Sequence, residues 1–430
     1  MKIVSHTDAD YAEQVAAFSR RARPRANVEK VVTEVVAAVR ERGDAALLEL
    51  ARRFDGVDFA DGAALRVGAE EAAAATAEVD ETMREAIALA RANVEEFARR
   101  SMRRDWSGSN AQGAEVGERY HPFERVGVYV PGGSAPLVSS ANMTVGLAAA
   151  AGVPEIVVCT PSNAAGQLNP VLLYALCDAG ATEVYKLGGS QAIAAMALGT
   201  ATVAPVAKVF GPGNAYVVEA KRQVFGAVGV DLLPGPSEIL VLSDGGGKAA
   251  WIAADMLAQA EHGADSEVGL LTDSPELLEA VRGELEAQAP GLSRQQPVRA
   301  VLEHGCTLVL VADLEEGVAL VNAYAPEHLS LISDSADALL PTISTAGAIF
   351  IGNYSPVAAG DFLAGPSHEL PTGGAGKSFA GLTVDQFQRR TSVVRYDQSS
   401  IDASAAVIET FAAAEGLDAH GRSATLRRSK

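Results

Sequence analysis

From residue 126 onward the chain repeats one pattern: a short apolar run ends in small or polar residues and passes into an alanine-rich helical stretch. The runs are VGVYVPGGSA, EIVVCTPSN, EVYKLGGSQA, KVFGPGNA, EILVLSDGG, VGLLTDS, TLVLVAD, LSLISDS and AIFIGNYS. Strands alternating with helices form parallel sheets through right-handed crossovers. Nine candidate strands are many for one open sheet, so two α/β units are expected. Ligands of such sheets sit where strand carboxyl ends meet helix amino ends, and the chemically suggestive motifs are expected at those junctions.

Upstream, Val28, Val31, Val32, Val35 and Val39 recur at helical spacing, and Gly43-Asp44 ends one helix and caps the next. Residues 70–105 read the same way, so the N-terminal quarter is expected to be mainly helical. The tail from about residue 383 also turns helical and finishes basic. No internal repeat or low-complexity segment interrupts the 430 residues.

Charge and cysteine usage narrow the function classes. Asp and Glu number 54 against 35 Lys and Arg, a formal charge of −19. An acidic surface repels phosphate backbones, which argues against nucleic-acid binding but not against a small anionic cofactor held by local groups. The opening MKIVSHTDADYAEQ lacks the basic-then-apolar pattern of a signal peptide, and runs such as VGLAAAAGV are too short to span a bilayer. Cys159, Cys177 and Cys306 form no CxxC pair. A reduced, cytoplasmic protein without a membrane partner is the expectation.

Four segments carry candidate site chemistry. In DMLAQAEHGADS, Gln259 and His262 lie one helical turn apart, so an amide oxygen and an imidazole could grip one ion. The same residues read equally as a helix C-terminus whose dipole favours His262, with Gly263 as cap. Glu327 and His328 stand side by side where a strand begins, offering a base near neutral pH and a second proton acceptor, although adjacent side chains usually point apart. Asp361, on a tight turn after AIFIGNYS, is either a hard metal ligand or a capping residue. His368 follows in GPSHELPT, where GAGKS only imitates a phosphate loop, because Pro371 stands where the motif needs glycine. In the tail, AAAEGLDAHG holds Glu415 and His420. For a dinucleotide there is no GxGxxG, but glycine-bearing strand ends near Tyr129, Gln191 and Asn214 could let backbone N–H groups approach a pyrophosphate, or be plain turns.

Taken in order, these segments resemble the histidinol dehydrogenase family across nearly the whole chain, from GDAALLELARRFD to AAAEGLDAH. YVPGGSAP, LGGSQAIAA, FGPGNAYV, GPSE, QAEHG, APEHL, AGDF, GPSHELPT and the final Glu/His pair are spaced as that family has them. The resemblance implies NAD-linked, zinc-dependent oxidation of L-histidinol, through the bound aldehyde, to L-histidine. It implies that Gln259, His262, Asp361 and His420 bind one zinc ion per subunit. Ser237, Glu327, His328, His368 and Glu415 would surround the substrate with these ligands, and Tyr129, Gln191 and Asn214 would contact NAD. By analogy His328 takes the alcohol proton and Glu327 activates water for the second step. The implied assembly is a homodimer whose tails cross, so that His420 and Glu415 complete the partner's site.

The fold implied is two Rossmann-like α/β units, one inserted in the other, with small terminal segments. Its expected parts are an N-terminal arm (1–25), a metal and substrate domain (26–128 and 235–382), an NAD-contacting domain (129–234) and a helical dimerisation segment (383–430). One departure is visible: many members have Glu where this chain has Val357, a position outside the expected ligands. A paralogue oxidising another small polar alcohol is the rival within enzymes, and GPSE with AAAEGLDAH favours histidinol. A non-catalytic zinc or nucleotide binder would have no need of the Glu327-His328 pair. A thiohemiacetal route through cysteine is the chemical rival, but no cysteine falls in a metal or substrate motif.

Overall fold

In the computed structural model, which describes residues 1–18, 26–132 and 136–429, all nine expected strands form and divide between two parallel sheets. With strands numbered in chain order, one sheet runs β1 (Lys2–Ser5), β11 (Cys306–Leu310), β10 (Glu267–Thr272), β9 (Glu238–Ser243), β12 (His328–Ile332), β13 (Ala348–Ile351). The other runs β6 (Glu183–Lys186), β5 (Glu155–Thr160), β4 (Arg125–Tyr129), β7 (Lys208–Phe210), β8 (Gly229–Val230). Every neighbouring pair in both is parallel. Setting β1 aside, each sheet has the order 3-2-1-4-5 in terms of its own strands. That is the order of a doubly wound sheet, with a crevice where the winding reverses between strands 1 and 4. All six residues of β9, EILVLS, are buried, as a central strand covered on both faces requires.

Alternation along β4 builds two separate cores on the five-stranded sheet. Val126 and Val128 face one way and pack with Ile87, Val94 and Ala98 of the helix Glu81–Ser101. Tyr129 belongs to the opposite core, with Val32, Val35 and Val39 of the helix Ala26–Arg42 and Leu47 and Leu50 of the helix Asp44–Leu50. Asp44 does not cap that second helix through its side chain; its carboxylate accepts the Thr202 hydroxyl at 2.7 Å.

These packings redraw the expected divisions. The helices between 26 and 101 pack their apolar faces on the five-stranded sheet and not on the six-stranded one, and a boundary at 128/129 would cut through β4. The arm is no appendage, since β1 is an edge strand of the six-stranded sheet and Phe18 stacks on Tyr324 with centroids 4.6 Å apart. Residues 19–25, and Gly133 to Ala135 of YVPGGSAP, lie outside the described residues. Helical periodicity shows that a helix has an apolar face but not which sheet that face covers, which is why the assignment failed.

The tail is not wholly helical either. β14 (Gln388–Arg395) pairs antiparallel with β3 (Glu115–Pro122), which pairs with β2 (Trp106–Ser109). This small sheet is polar and largely exposed, so no apolar run announced it. It is tied to the five-stranded unit by Phe387, which is fully buried and stacks on Phe210 at 3.9 Å, while its carbonyl accepts the Phe123 N–H at 3.0 Å. We expect Phe387→Ala to lower the unfolding free energy by about 3–5 kcal/mol. Val394→Ala, on the exposed strand, should change it by no more than about 0.5 kcal/mol. Urea denaturation of the two variants beside the parent checks both.

Candidate functional site at the amino end of the six-stranded sheet

The site begins with a helix that ends badly for its backbone. After the helix Leu314–Tyr324, Ala325 takes a φ of 55°, the one positive value at a non-glycine residue among those described. That left-handed turn costs of order 1–3 kcal/mol and persists where surroundings fix it. It delivers Pro326, Glu327 and His328 to the start of β12, directly beside the start of β9.

There the two strands exchange bonds. Glu327 Oε2 accepts the Glu238 backbone N–H at 2.8 Å, and Glu238 Oε2 accepts the Glu327 N–H at 3.4 Å. Glu238 Oε1 also accepts the Gly373 N–H at 2.9 Å, so the glycine turn that imitates a phosphate loop serves this buried carboxylate. His328 Nδ1 lies 3.0 Å from the Glu238 carbonyl oxygen, to which it donates, and 3.4 Å from Glu327 Oε2. The ring's other nitrogen, Nε2, faces Asp361 Oδ1 at 3.7 Å. Burial disfavours a charged imidazole here, but the Glu327 carboxylate, followed by Asp361, outweighs it and raises the His328 pKa to about 9.

Asp361 is buried in a short helix, Val357–Phe362, and not on a turn. Its carbonyl accepts His368 Nδ1–H at 3.1 Å, and His368 Nε2 accepts the Ser140 hydroxyl at 3.0 Å. Burial lowers the His368 pKa against the opposing pull of Asp361, which keeps this ring neutral. Ser140 comes from the other unit, as does Met143, whose carbonyl accepts the Ser367 hydroxyl at 3.2 Å. The loop bearing Ser367 and His368 is therefore clamped on the segment that follows β4.

Gln259 ends the helix Ala249–Ala260, which packs against the helix bearing Asp361, and His262 lies in the turn just beyond. His262 Nδ1 and the Ser237 hydroxyl are 3.1 Å apart. The Gln259 side chain is fully buried, yet neither its oxygen nor its nitrogen has a hydrogen-bond partner. An amide left so costs about 1–3 kcal/mol unless something absent from the polypeptide pairs with it. A metal ion on the amide oxygen, with His262 and Asp361, is a group of that kind. Among the described residues no three His, Cys, Asp or Glu side chains form a metal cluster.

His420 and Glu415 are not brought here. Helices Gln398–Glu415 and Asp418–Thr425 pack mainly against each other, and both residues are exposed beside Val407, Phe411 and Leu417 around a hollow of about 210 Å³. The expectation that all site motifs occupy strand carboxyl ends is also overturned: Ser237, Glu327 and His328 are at amino ends of β9 and β12. The NAD candidates do lie at carboxyl ends, in the five-stranded sheet. Tyr129 closes β4, and Asn214 caps the helix after β7 by accepting the N–H groups of Tyr216 and Val217. Gln191 sits in the first turn after β6, next to Gly189, whose N–H donates to the Tyr129 hydroxyl at 3.1 Å. A Cβ on Gly211 would collide with the Tyr129 carbonyl, so only glycine lets these loops approach. The buried Lys221–Asp231 pair grips Gly211: Lys221 Nζ donates to its carbonyl at 2.8 Å, and its N–H donates to Asp231 at 2.7 Å.

Known proteins resemble this chain in sequence and in fold. The family described as histidinol dehydrogenase matches residues 18–428. The histidinol dehydrogenases of Syntrophotalea carbinolica and Xylella fastidiosa are 42% and 44% identical over 99% of this chain and 99% of each of theirs. The crystal structure of histidinol dehydrogenase from Elizabethkingia anophelis is similar at a TM-score of 0.94 and 33% identity, covering 99% of this chain and 98% of that one. An acetylating aldehyde dehydrogenase from Geobacillus thermoglucosidasius, at 15% identity and a TM-score of 0.50, shares the fold alone.

The unpaired amide makes an unusual stability prediction. Gln259→Met keeps the shape and removes the two orphaned polar atoms, so in chelator it should raise the unfolding free energy by about 1–3 kcal/mol. Added zinc should raise the melting temperature of the parent protein and leave that of this variant unchanged. Destabilisation of the chelated variant would show that the amide is paired within the polypeptide.

Proposed function

Because the chain belongs to the histidinol dehydrogenase family and is an oxidoreductase of histidine biosynthesis, we propose that it converts L-histidinol through bound L-histidinal to L-histidine. Two NAD molecules take one hydride each, and the site is completed by zinc and by a second subunit. The buried Gln259 amide with both polar atoms unpaired, on a helix packed against that of Asp361, carries the reading.

Gln259, His262 and Asp361, with His420 of a second copy of the chain, would hold the zinc, which when bound supplies a Lewis-acidic anchor that orients the amino alcohol. The proton chemistry belongs to the protein. With His328 Nδ1–H committed to the Glu238 carbonyl, Nε2 is the nitrogen left to take the alcohol proton as hydride departs. Two carboxylates favour the charged ring. A cation held by Asp361 would weaken the second of those pulls and shift the ring toward the neutral imidazole that a base must be. Glu327, held by the Glu238 N–H, then takes a proton from the water that adds to the aldehyde, and the resulting gem-diol yields the second hydride. Neutral His368, braced by Ser140 and the Asp361 carbonyl, joins Ser237 and the Glu415 of a second copy of the chain in binding the substrate. Tyr129, Gln191 and Asn214 hold NAD at the carboxyl end of the five-stranded sheet.

Cysteine chemistry has no support. Burial raises the Cys306 thiol to about 12 and pushes Cys159 and Cys177 up as well, so none offers a thiolate nucleophile near neutral pH. No helix of the described residues is long and apolar enough to cross a membrane, and the proposed location is the cytoplasm.

Stoichiometry tests the reaction. Each L-histidinol consumed should give two NADH and one L-histidine, measured by absorbance and amino-acid analysis; one NADH with accumulating aldehyde, or no turnover, would refute the reading.

Subunit sharing is tested separately, because His420 stands apart from its own Asp361 here. His420→Ala and Asp361→Ala homodimers should each be nearly inactive. Their co-expression makes about half of the dimers mixed, each with one intact site of two, so about a quarter of parental activity should return. Purified mixed dimers as inactive as either parent would place His420 in its own chain's site.

A further inference from the structure

The five-stranded sheet lacks an acid where a dinucleotide sheet usually has one. In such sheets the carboxylate that accepts the ribose 2′-hydroxyl stands at the end of the second strand. Here that strand is β5, and it ends Cys159-Thr160-Pro161-Ser162, with no acidic residue.

An acid is supplied from elsewhere in the chain. The helix Asp44–Leu50 widens into a π-type turn over Ala51–Asp55, stopped by Gly56 at a φ of 71°. This turn carries Asp55 over the ends of β5 and β6. Asp55 Oδ2 accepts Gln191 Nε2–H at 3.2 Å. A Cβ built on Gly188 would stand 3.2 Å from Asp55 Oδ1 and 2.8 Å from the Cβ of Pro161, so the carboxylate lies against the two loops that follow the second and third strands. Its charge also reaches the buried Tyr129 hydroxyl.

The electrostatic setting is that of an acceptor left available. Asp55 is half-buried, and burial raises its pKa against the opposing Gln191 bond. Among the described residues the Gln191 amide is its one hydrogen-bond partner, and it forms no ion pair with a described cation. The neighbouring arginines are engaged elsewhere, Arg52 with Asp58 and Arg53 over the Phe54 ring. A carboxylate has about four acceptor positions, and Gln191 takes one.

We infer that Asp55 accepts the adenosine ribose hydroxyl of the cofactor and thereby makes the site select NAD over NADP. A 2′-phosphate would bring like charge against a half-buried carboxylate that no described cation neutralises. Asp55 is a specificity-determining residue in this role and takes no part in the chemistry. The inference rests on the proposed use of NAD, and it adds the group that discriminates between cofactors.

Equilibrium titration of the full-length protein with NAD and with NADP, followed by calorimetry, tests it. The parent should bind NAD at least about 100-fold more tightly than NADP. In Asp55→Asn, which keeps an acceptor for Gln191, NAD should weaken by about tenfold while NADP tightens, because a hydrogen bond to a charged group is lost and a repulsion removed. Asp55→Ser should move the ratio the same way. If either folded variant weakens NAD and NADP equally, Asp55 merely orients Gln191 and the inference is overturned, with the NAD reading intact. A parent that binds no NAD would overturn both.

Discussion

Glu238 and Glu327 accept each other's backbone N–H groups across the start of two buried strands, and the geometry of the candidate site depends on that exchange. The amino ends of β9 and β12 present N–H groups that no further strand residue can satisfy, so carboxylates are held there. The same Glu238 residue uses its carbonyl to fix the His328 tautomer and its second carboxylate oxygen to fix the loop at Gly373. One residue thus determines which nitrogen of His328 faces Asp361 and where Glu327 points. Nothing in the sequence drew attention to it beyond its place in GPSE.

The two parallel sheets have the same strand order and use opposite ends. The substrate and metal candidates gather at the amino end of one, and the cofactor candidates lie at the carboxyl end of the other. The contact of His368 with Ser140, and of Ser367 with the Met143 carbonyl, joins these ends. That arrangement suits the proposed hydride transfer, in which a donor held by one unit must meet an acceptor held by the other. It also gives a reason for neutral His368: a ring hydrogen-bonded at both nitrogens is a fixed strut between the units.

Burial sorts the titratable groups by task. Thiols in apolar surroundings stay protonated, and His368 stays neutral. His328, the more deeply buried of the two, is drawn toward the charged state because two carboxylates surround it. The polypeptide alone leaves the Gln259 amide unpaired and gives the Asp361 carboxylate only the His328 ring at 3.7 Å. A cation held by both would pair the amide and the carboxylate, which is the physical content of the proposed zinc site.

Short apolar runs separated by alanine-rich helices are enough to show parallel α/β architecture, because strands covered on both faces have no alternative composition. The candidate residues were legible for a different reason, as motif types in a familiar order, and they include seven that the fold brings to one end of the six-stranded sheet: Ser237, Gln259, His262, Glu327, His328, Asp361 and His368. Which sheet the N-terminal helices cover was not legible, since Val32 and Val94 carry no mark of the partner they meet. The exposed strand Gln388–Arg395 left no apolar signal, and neither Ser140 nor Asp55 differs in type or spacing from any solvated residue. Asp55 stands 136 residues from the Gln191 amide it accepts, and Ser140 stands 228 from His368. Composition and periodicity are properties of neighbours along the chain, so the sequence by itself determined the class of fold and the chemical types available. Contacts over such separations are chosen by how whole layers pack, and only the tertiary structure decided which of those groups meet.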